Sequence, residues 1–378
     1  MEESTAHDAP PGEVAPASRD AEAARARPWP GWTYGIAAVV LFLLAIQLLK
    51  SAIGAVGPAL RDGLPAVVTG DISALGASWL AAYGLLNGSV VAAVAVALYD
   101  ATAITLSQLL FMVFGSRFGA AGIVLLVGLF DFLAHRTQTV RRASELGLMS
   151  FLVTYTIGLP ALAMGYAWFY GVGPLRVGGS AQPLQVPHLV RQAGDWLVGT
   201  AGPLLGFLAG VVLLMTSLKL FDRVFAAFDM EAARGYYGRV LRQRGWAFLV
   251  GVGVTALTTS IAFSLGVLVP MYNRGHVKPR EAVPYILGAN IGTLVDTVLV
   301  ALFFPSSGGI GVVLLVVAAT AGATLPALVL FGPYYATINT LLDRLQTSRW
   351  AFGMFLALLV VLPAGLVGLG FVLRGGGV

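Results

Sequence analysis

The polar residues between 290 and 297 have the clearest potential for chemistry in this sequence. Four oxygen-bearing side chains recur there at i, i+3, i+6 and i+7, which is one face of a helix; they are Asn290, Thr293, Asp296 and Thr297. A carboxylate inside an apolar segment is costly and usually functional. We therefore predict that Asp296 is a cation ligand or a proton carrier. The alternatives are a pairing with an arginine or a side chain that reaches the membrane interface.

A second group of hydroxyl residues interrupts another apolar segment. Thr258, Thr259 and Ser260 are adjacent, and Ser264 follows one helical turn later. Hydroxyl oxygens at a helix break can coordinate Na⁺, and the backbone amides that a break exposes can bind an anion. The alternative is that the hydroxyls bond to the carbonyl four residues earlier and only bend the helix.

A third candidate lies in the first half of the chain, where Asn87-Gly88-Ser89 interrupts an apolar run. We include Asn87 and Ser89 among the substrate-binding or ion-binding residues, because the second half is interrupted at a comparable place. Asn87 begins a glycosylation sequon, but the sequon lies within an apolar run, so we do not expect glycosylation there.

The two halves show further similarity. We pair residues 84–89 with 255–260, and residues 119–123 with 288–292. Lys50 and Gly119 are 69 positions apart, as are Lys219 and Gly288. Repeated halves, often of inverted topology, are common in secondary transporters, whose solute sites lie near the midplane at broken helices.

Long apolar segments must position these residues. Of the 378 residues, 57% are hydrophobic and 11% are charged, whereas a soluble domain carries about 25% charged residues. Several segments reach the ~20 apolar residues that a spanning helix needs. Because the apolar runs are continuous rather than alternating, they favour helices over a barrel. Two adjoining segments, 101–114 and 118–133, are each short for an independent span.

We therefore predict an all-α polytopic membrane protein with two inverted repeats and re-entrant or broken helical hairpins. Its predicted parts are a disordered tail over 1–30, a first transmembrane repeat over 31–172, a loop over 173–195, a second repeat over 196–333, and a loop with a final transmembrane helix over 334–378. Arg25 and Arg27 precede the first span and favour a cytoplasmic N-terminus in the cell membrane.

The second half resembles the sodium/phosphate cotransporter family (type II). The resemblance rests on Thr-Ala-Leu-Thr-Thr-Ser at 255–260 and on Leu-Gly-Ala-Asn-Ile-Gly-Thr at 287–293. It extends over roughly residues 32–135 and 196–305, more weakly in the first half. It implies two inverted repeats, each with a Gln-Ser-Ser-Ser element in a re-entrant hairpin and a Gly-Ala-Asn-Ile-Gly-Thr-Thr-like element after it.

The sequence departs from this pattern at several places. Residues 258–261 read Thr-Thr-Ser-Ile without the glutamine, and residues 87–90 read Asn-Gly-Ser-Val. In our pairing of the halves, Ala121 stands where the first-half asparagine is expected, whereas Asn290 and Thr293 are intact in the second half.

The resemblance implies coupled transport of Na⁺ and an anion such as phosphate. Thr259, Ser260, Asn290 and Thr293 would then offer oxygens to a cation or an anion. Two alternatives remain open: a transporter of a lipid-linked phosphate or an amphipathic organic anion, and a non-transporting membrane subunit that binds a protein partner. The expected partners are a small anionic solute and the lipid bilayer, without nucleic acid.

Enzymatic and metal signatures are weak. The chain has no cysteine, and its four histidines do not occur at metal-ligand spacing. It has no nucleotide-binding loop and no pair of carboxylates in an acid/base arrangement. We expect no enzyme activity, no catalytic residue and no cofactor other than Na⁺ as a coupling ion.

Overall fold

The computed structural model describes residues 31–135, 138–175, 183–226, 241–273 and 277–375. The first half contains helices α1 (Gly31–Ala55), α2 (Gly57–Gly63), α3 (Asp71–Leu85), α4 (Gly88–Asp100), α5 (Leu106–His135) and α6 (Gln138–Gly171), with a 3₁₀ turn over Leu64–Ala66. The predicted tail over 1–30, with Arg25 and Arg27, lies outside the described residues.

The second half continues in the same way. Its helices are α7 (His188–Ala201), α8 (Pro203–Ala226), α9 (Arg244–Thr258), α10 (Ile261–Asn273), α11 (Pro279–Gly292), α12 (Val295–Leu302), α13 (Ser307–Val329), α14 (Phe331–Thr347) and α15 (Arg349–Gly375). The described residues contain no strand. Helix α7 begins inside the segment that the sequence predicted as a loop over 173–195.

Seven stretches of the described helices are long and apolar enough to cross a membrane. They are Thr33–Ala55, Leu106–Leu125, Glu145–Gly171, Pro203–Val224, Pro279–Leu302, Gly308–Val329 and Trp350–Leu373. An eighth span is added if the residues from Gly57 to Leu85, bent by 101° between Ala66 and Asp71, count as one. The prediction of an all-α polytopic membrane protein is confirmed, whereas inversion of the repeats stays a prediction.

The two short apolar segments at 101–114 and 118–133 are joined in the structure. Helix α5 begins at Leu106 and runs without a break through the residues between them. Those residues include Arg117, whose charge divides the apolar pattern of the sequence. In the structure Arg117 is compensated by partners on other helices, so the helix continues through it.

Glycines allow two helix pairs to pack closely. A side chain at Gly115 or Gly119 of α5 would collide with α3, at the carbonyl oxygens of Leu75 and Trp79 respectively. On α11, Gly288 would collide in the same way with α9. Lipid tails are as apolar as the helices, so close van der Waals contact replaces the hydrophobic effect between them. Small residues at these crossings are therefore structural.

Aromatic rings fix α5 between α3 and α6. The ring of Phe118 lies 5.4 Å from Trp79 and 4.9 Å from Tyr155, measured between centroids. The Tyr155 hydroxyl also donates a hydrogen bond of 3.0 Å to the backbone carbonyl of Phe118. The residue that precedes Phe118 in sequence is Arg117, so this cluster helps to determine the position of its backbone.

We predict that Gly288→Ala destabilises the protein by about 1–3 kcal/mol, the usual cost of overpacking. The added methyl would meet the Phe248 carbonyl, which is backbone and cannot move away without separating α9 from α11. Thermal unfolding of detergent-purified protein measures the change.

The matched control is Gly253→Ala in α9, where an added methyl meets no atom within 4 Å. It should leave stability unchanged or raise it, since alanine has the higher helix propensity. Equal effects of the two substitutions would contradict the packing that we describe.

Candidate functional site

Two helix breaks have the same local geometry. Leu86 follows α3 and Thr259 follows α9, and both residues are in the left-handed region, with φ of 51° and 55°. The next residue caps the following helix: the Asn87 side chain accepts a 3.1 Å hydrogen bond from the Val90 amide, and the Ser260 hydroxyl a 3.2 Å bond from the Phe263 amide. Such caps satisfy amides that a helix start leaves unpaired. Both breaks occur where the sequence predicted them.

Matching contacts establish the register of the two halves. The corresponding residues are all separated by 173 positions: Leu75 and Phe248, Trp79 and Val252, Leu86 and Thr259, Asn87 and Ser260, Gly115 and Gly288, Gly119 and Gly292. The sequence-based pairing of 119–123 with 288–292 is therefore displaced by four residues, and that of 84–89 with 255–260 by two. In the structural register Arg117, rather than Ala121, matches Asn290.

A cavity of about 210 Å³ joins the two breaks. Asn87 and Ser89 line it from the first break, and Thr259 and Ser260 line it from the second. Thr293 lines it as well, so the structure brings together five of the residues that the sequence proposed for binding. The Thr259 hydroxyl is buried and has no hydrogen-bond partner among the described residues.

Three charged side chains also line this cavity: Arg117 from α5, and Lys219 and Asp222 from α8. Lys219 and Asp222 are three positions apart, so they lie on one face of α8. One carboxylate oxygen of Asp222 is buried without a hydrogen-bond partner among the described residues.

Arg117 is the centre of a buried polar network. Its Nη2 donates to Asp296 Oδ1 at 3.0 Å and to Thr297 Oγ1 at 2.6 Å, and its Nη1 donates to Thr293 Oγ1 at 2.9 Å. The side chains of Arg117 and Asp296 are only 11% and 4% exposed. Of the alternatives that the sequence left open for Asp296, the structure shows the pairing with an arginine.

Asn290 has a different environment from its neighbours. Its Oδ1 accepts a 2.8 Å hydrogen bond from the Thr154 hydroxyl of α6, and its amide donates 3.1 Å to the Ile286 carbonyl. Asn290 and Thr154 line a smaller cavity of about 40 Å³, which also contacts Arg117 and Thr293. Helix α11 ends at Gly292 and α12 begins at Val295. The four polar residues predicted on one helical face are therefore divided: Asn290 lies in α11, Thr293 in the connection, and Asp296 and Thr297 in α12.

The remaining two candidates are engaged in internal bonds. The Thr258 hydroxyl donates 2.8 Å to the Val254 carbonyl four residues earlier, which is the bending interaction considered as the alternative. Ser264 bonds to Thr255 at 2.7 Å and to Tyr285 at 2.7 Å. Neither of the two lines the larger cavity.

Sequence reasoning missed Arg117, Thr154 and Asp222, and used Lys219 only to mark the repeat. A signal for Arg117 was present, because Gly115-Ser116-Arg117-Phe118-Gly119 has the same spacing of glycines as Gly288-Ala289-Asn290-Ile291-Gly292. Thr154 and Asp222 belong to no motif, and only packing brings them to the site.

Residues 213–362 match the family model described as Na⁺/Pi-cotransporter. This match supports membership of the Na⁺/Pi-cotransporter family. The matched segment includes Lys219, Asp222, both sides of the second break, and Asn290 to Thr297. No curated protein and no solved structure matches the chain significantly.

The match and the seven apolar helices together support a multi-pass membrane transporter of the phosphate-symporter kind. The family is one of transporters and not a class of enzymes. The first break and Arg117 precede the matched segment, so their part in the site follows from the geometry alone.

We predict that Arg117→Met, studied in Na⁺-free buffer, destabilises the protein by about 3–5 kcal/mol, because it leaves the buried Asp296 carboxylate unpaired. Thermal unfolding in detergent, calibrated against chemical denaturation, provides the measurement.

The control is the double variant Arg117→Met/Asp296→Leu. Replacement of a buried ion pair by apolar residues is often neutral or stabilising, so the second substitution should restore most of the lost stability. A double variant less stable than Arg117→Met would show that the two side chains are not energetically coupled.

Proposed function

We propose that this chain transports a small inorganic oxyanion, with phosphate as the substrate, and that the cavity between the two helix breaks is the substrate site. The observation that carries the proposal is the convergence of two helix N-termini and two cationic side chains on one cavity. Residues 88 and 89 begin α4, residue 261 begins α10, and Arg117 and Lys219 complete the lining.

Helix N-termini favour anions because their first amides lack partners within the helix and the helix dipole is positive there. Broken helices in transporters present such ends to anionic groups of the substrate. The two breaks of this chain form the same kind of environment, and Ser89 and Thr259 add hydroxyl groups that can donate to an oxyanion.

Lys219 provides the cavity with a charged donor for an anion. Asp296 neutralises Arg117 through the ion pair, and Lys219 adds a cationic donor whose charge is balanced by Asp222 in the same lining. The anion would therefore be held by donor groups rather than by a net positive charge. A charged donor to an oxyanion forms stronger hydrogen bonds than a neutral one.

The size of the cavity favours an inorganic ion over the larger alternatives. Sites for drug-sized ligands occupy roughly 300–1,000 Å³, whereas this cavity measures about 210 Å³. A lipid-linked phosphate or an amphipathic organic anion would need space beyond it.

Uptake of radiolabelled phosphate into proteoliposomes tests the proposal, with sulfate and an organic phosphate as competitors. We expect uptake above that of empty liposomes and inhibition by unlabelled phosphate. Uptake no faster than in empty liposomes, under every ion gradient applied, would reject phosphate as the substrate.

We predict that Lys219→Gln raises the KM for phosphate by about tenfold or more, since a hydrogen bond to a charged group contributes about 1.5–3 kcal/mol. Lys50→Gln is the matched control. Lys50 occupies the corresponding place in the sequence-based pairing, but its ammonium lies 5.8 Å from the Phe304 ring and does not line the cavity. Equal effects on KM would contradict the assigned role of Lys219.

Two neighbouring threonines provide a second test. Thr259→Val removes a hydroxyl of the cavity lining that has no hydrogen-bond partner among the described residues. We expect the KM for phosphate to increase by roughly three- to tenfold, which corresponds to the free energy of one neutral hydrogen bond. Thr258→Val removes a hydroxyl that bonds to the Val254 carbonyl of its own helix, and it should leave KM nearly unchanged. The reverse ranking would place the site elsewhere.

A further inference from the structure

We propose that the Arg117 guanidinium is a built-in cation that occupies the position of a coupling ion, so that anion transport by this chain does not depend on Na⁺. The part of this proposal that concerns transport rests on the proposed function. The part that concerns ion binding can be tested without transport.

The surroundings of the guanidinium are those of a cation site. Three oxygens receive its N–H groups: a carboxylate oxygen of Asp296 and the hydroxyl oxygens of Thr293 and Thr297, at distances of 2.6 to 3.0 Å. Carboxylate and hydroxyl oxygens are also the ligands that hard metal cations prefer. A metal ion that used these three oxygens would have to displace the guanidinium from them, which leaves Asp296 Oδ2 as the oxygen of the carboxylate without a hydrogen-bond partner among the described residues.

The oxygens that the sequence assigned to Na⁺ are partly engaged by the chain itself. Thr293 accepts from Arg117, and the Asn290 side-chain oxygen accepts from Thr154. Thr259, Ser260 and Thr293 of that set line the larger cavity. Of these three, Thr293 accepts from Arg117 and the Ser260 hydroxyl accepts from the Phe263 amide.

Charge balance opposes a second cation beside Arg117. The ion pair with Asp296 is neutral as a unit and almost fully buried. Addition of Na⁺ to the same carboxylate would leave one uncompensated positive charge in a medium where such a charge is costly.

The guanidinium is held in place by the fold. Gly115 and Gly119, on either side of Arg117, pack directly against the α3 backbone. A covalently attached group also has a high effective concentration at a site that it can reach. Free Na⁺ therefore competes poorly with Arg117 for these oxygens.

The structural register of the halves supports the same conclusion. Arg117 corresponds to Asn290, which is uncharged, so the first half has gained a positive charge at this position relative to the second. The negative charge of Asp296 lies 3.0 Å from it. The two charges compensate each other within one site.

Na⁺ binding to the purified full-length protein tests the inference directly. The wild type should bind no ²²Na⁺ specifically. Its unfolding temperature should be the same in NaCl as in choline chloride at equal ionic strength. In Arg117→Asn the Asp296 carboxylate loses its cation, so we expect specific ²²Na⁺ binding and stabilisation that increases with NaCl concentration.

The double variant Arg117→Asn/Asp296→Asn is the matched control, since it lacks both charges and should not gain Na⁺ binding. Specific ²²Na⁺ binding by the wild type would overturn the inference, whatever the behaviour of the variants. Because this result needs only the wild-type protein, it does not depend on the folding of any variant.

Phosphate uptake then separates the two proposals. Replacement of NaCl by choline chloride should change wild-type uptake by less than about twofold. An ion that binds two conformations of a protein equally cannot shift the equilibrium between them. Uptake that requires Na⁺ would reject the built-in cation while supporting the proposed function. Absence of uptake in all media would reject phosphate transport, and the binding measurement would still decide the role of Arg117.

Discussion

The buried ion pair between Arg117 and Asp296 is the interaction on which the site depends. An unpaired charge in the interior of a membrane protein is costly, and its cost decreases when the charge is paired and its remaining polar atoms are hydrogen-bonded. Thr293 and Thr297 provide two of those bonds. The pair joins α5 of the first half to α12 of the second, and the cavity with both helix breaks lies beside it.

The helix breaks obey a second constraint, which is that lipid offers no hydrogen bonds to exposed backbone. Non-helical backbone at membrane depth is tolerated only where protein or a cavity surrounds it. Asn87 and Ser260 cap the helices that follow the breaks, and both breaks line the same cavity. The features that make the backbone acceptable in the membrane are thus also the ones on which the proposed anion site depends.

The register of the halves shows why sequence comparison placed Ala121 where Arg117 belongs. Small residues recur along α5 about once per helical turn, at Gly115, Gly119 and Gly122. A displacement of four residues therefore preserves the spacing of glycines while it changes which side chain stands between them. Contacts with the α3 backbone distinguish the two registers, because each glycine meets one particular carbonyl oxygen.

The sequence alone determined the helical fold class, the places of both breaks, the resemblance to the Na⁺/Pi-cotransporter family and the polar segment around Asp296. These features are local, since span length, capping residues and short motifs depend on neighbours in sequence. Only the tertiary structure paired Arg117 with Asp296 and brought Lys219 and Asp222 to the two breaks. Those partners lie far apart in the chain, and their meeting depends on how the helices pack. That packing decided which of the polar residues are internally satisfied and which face the cavity.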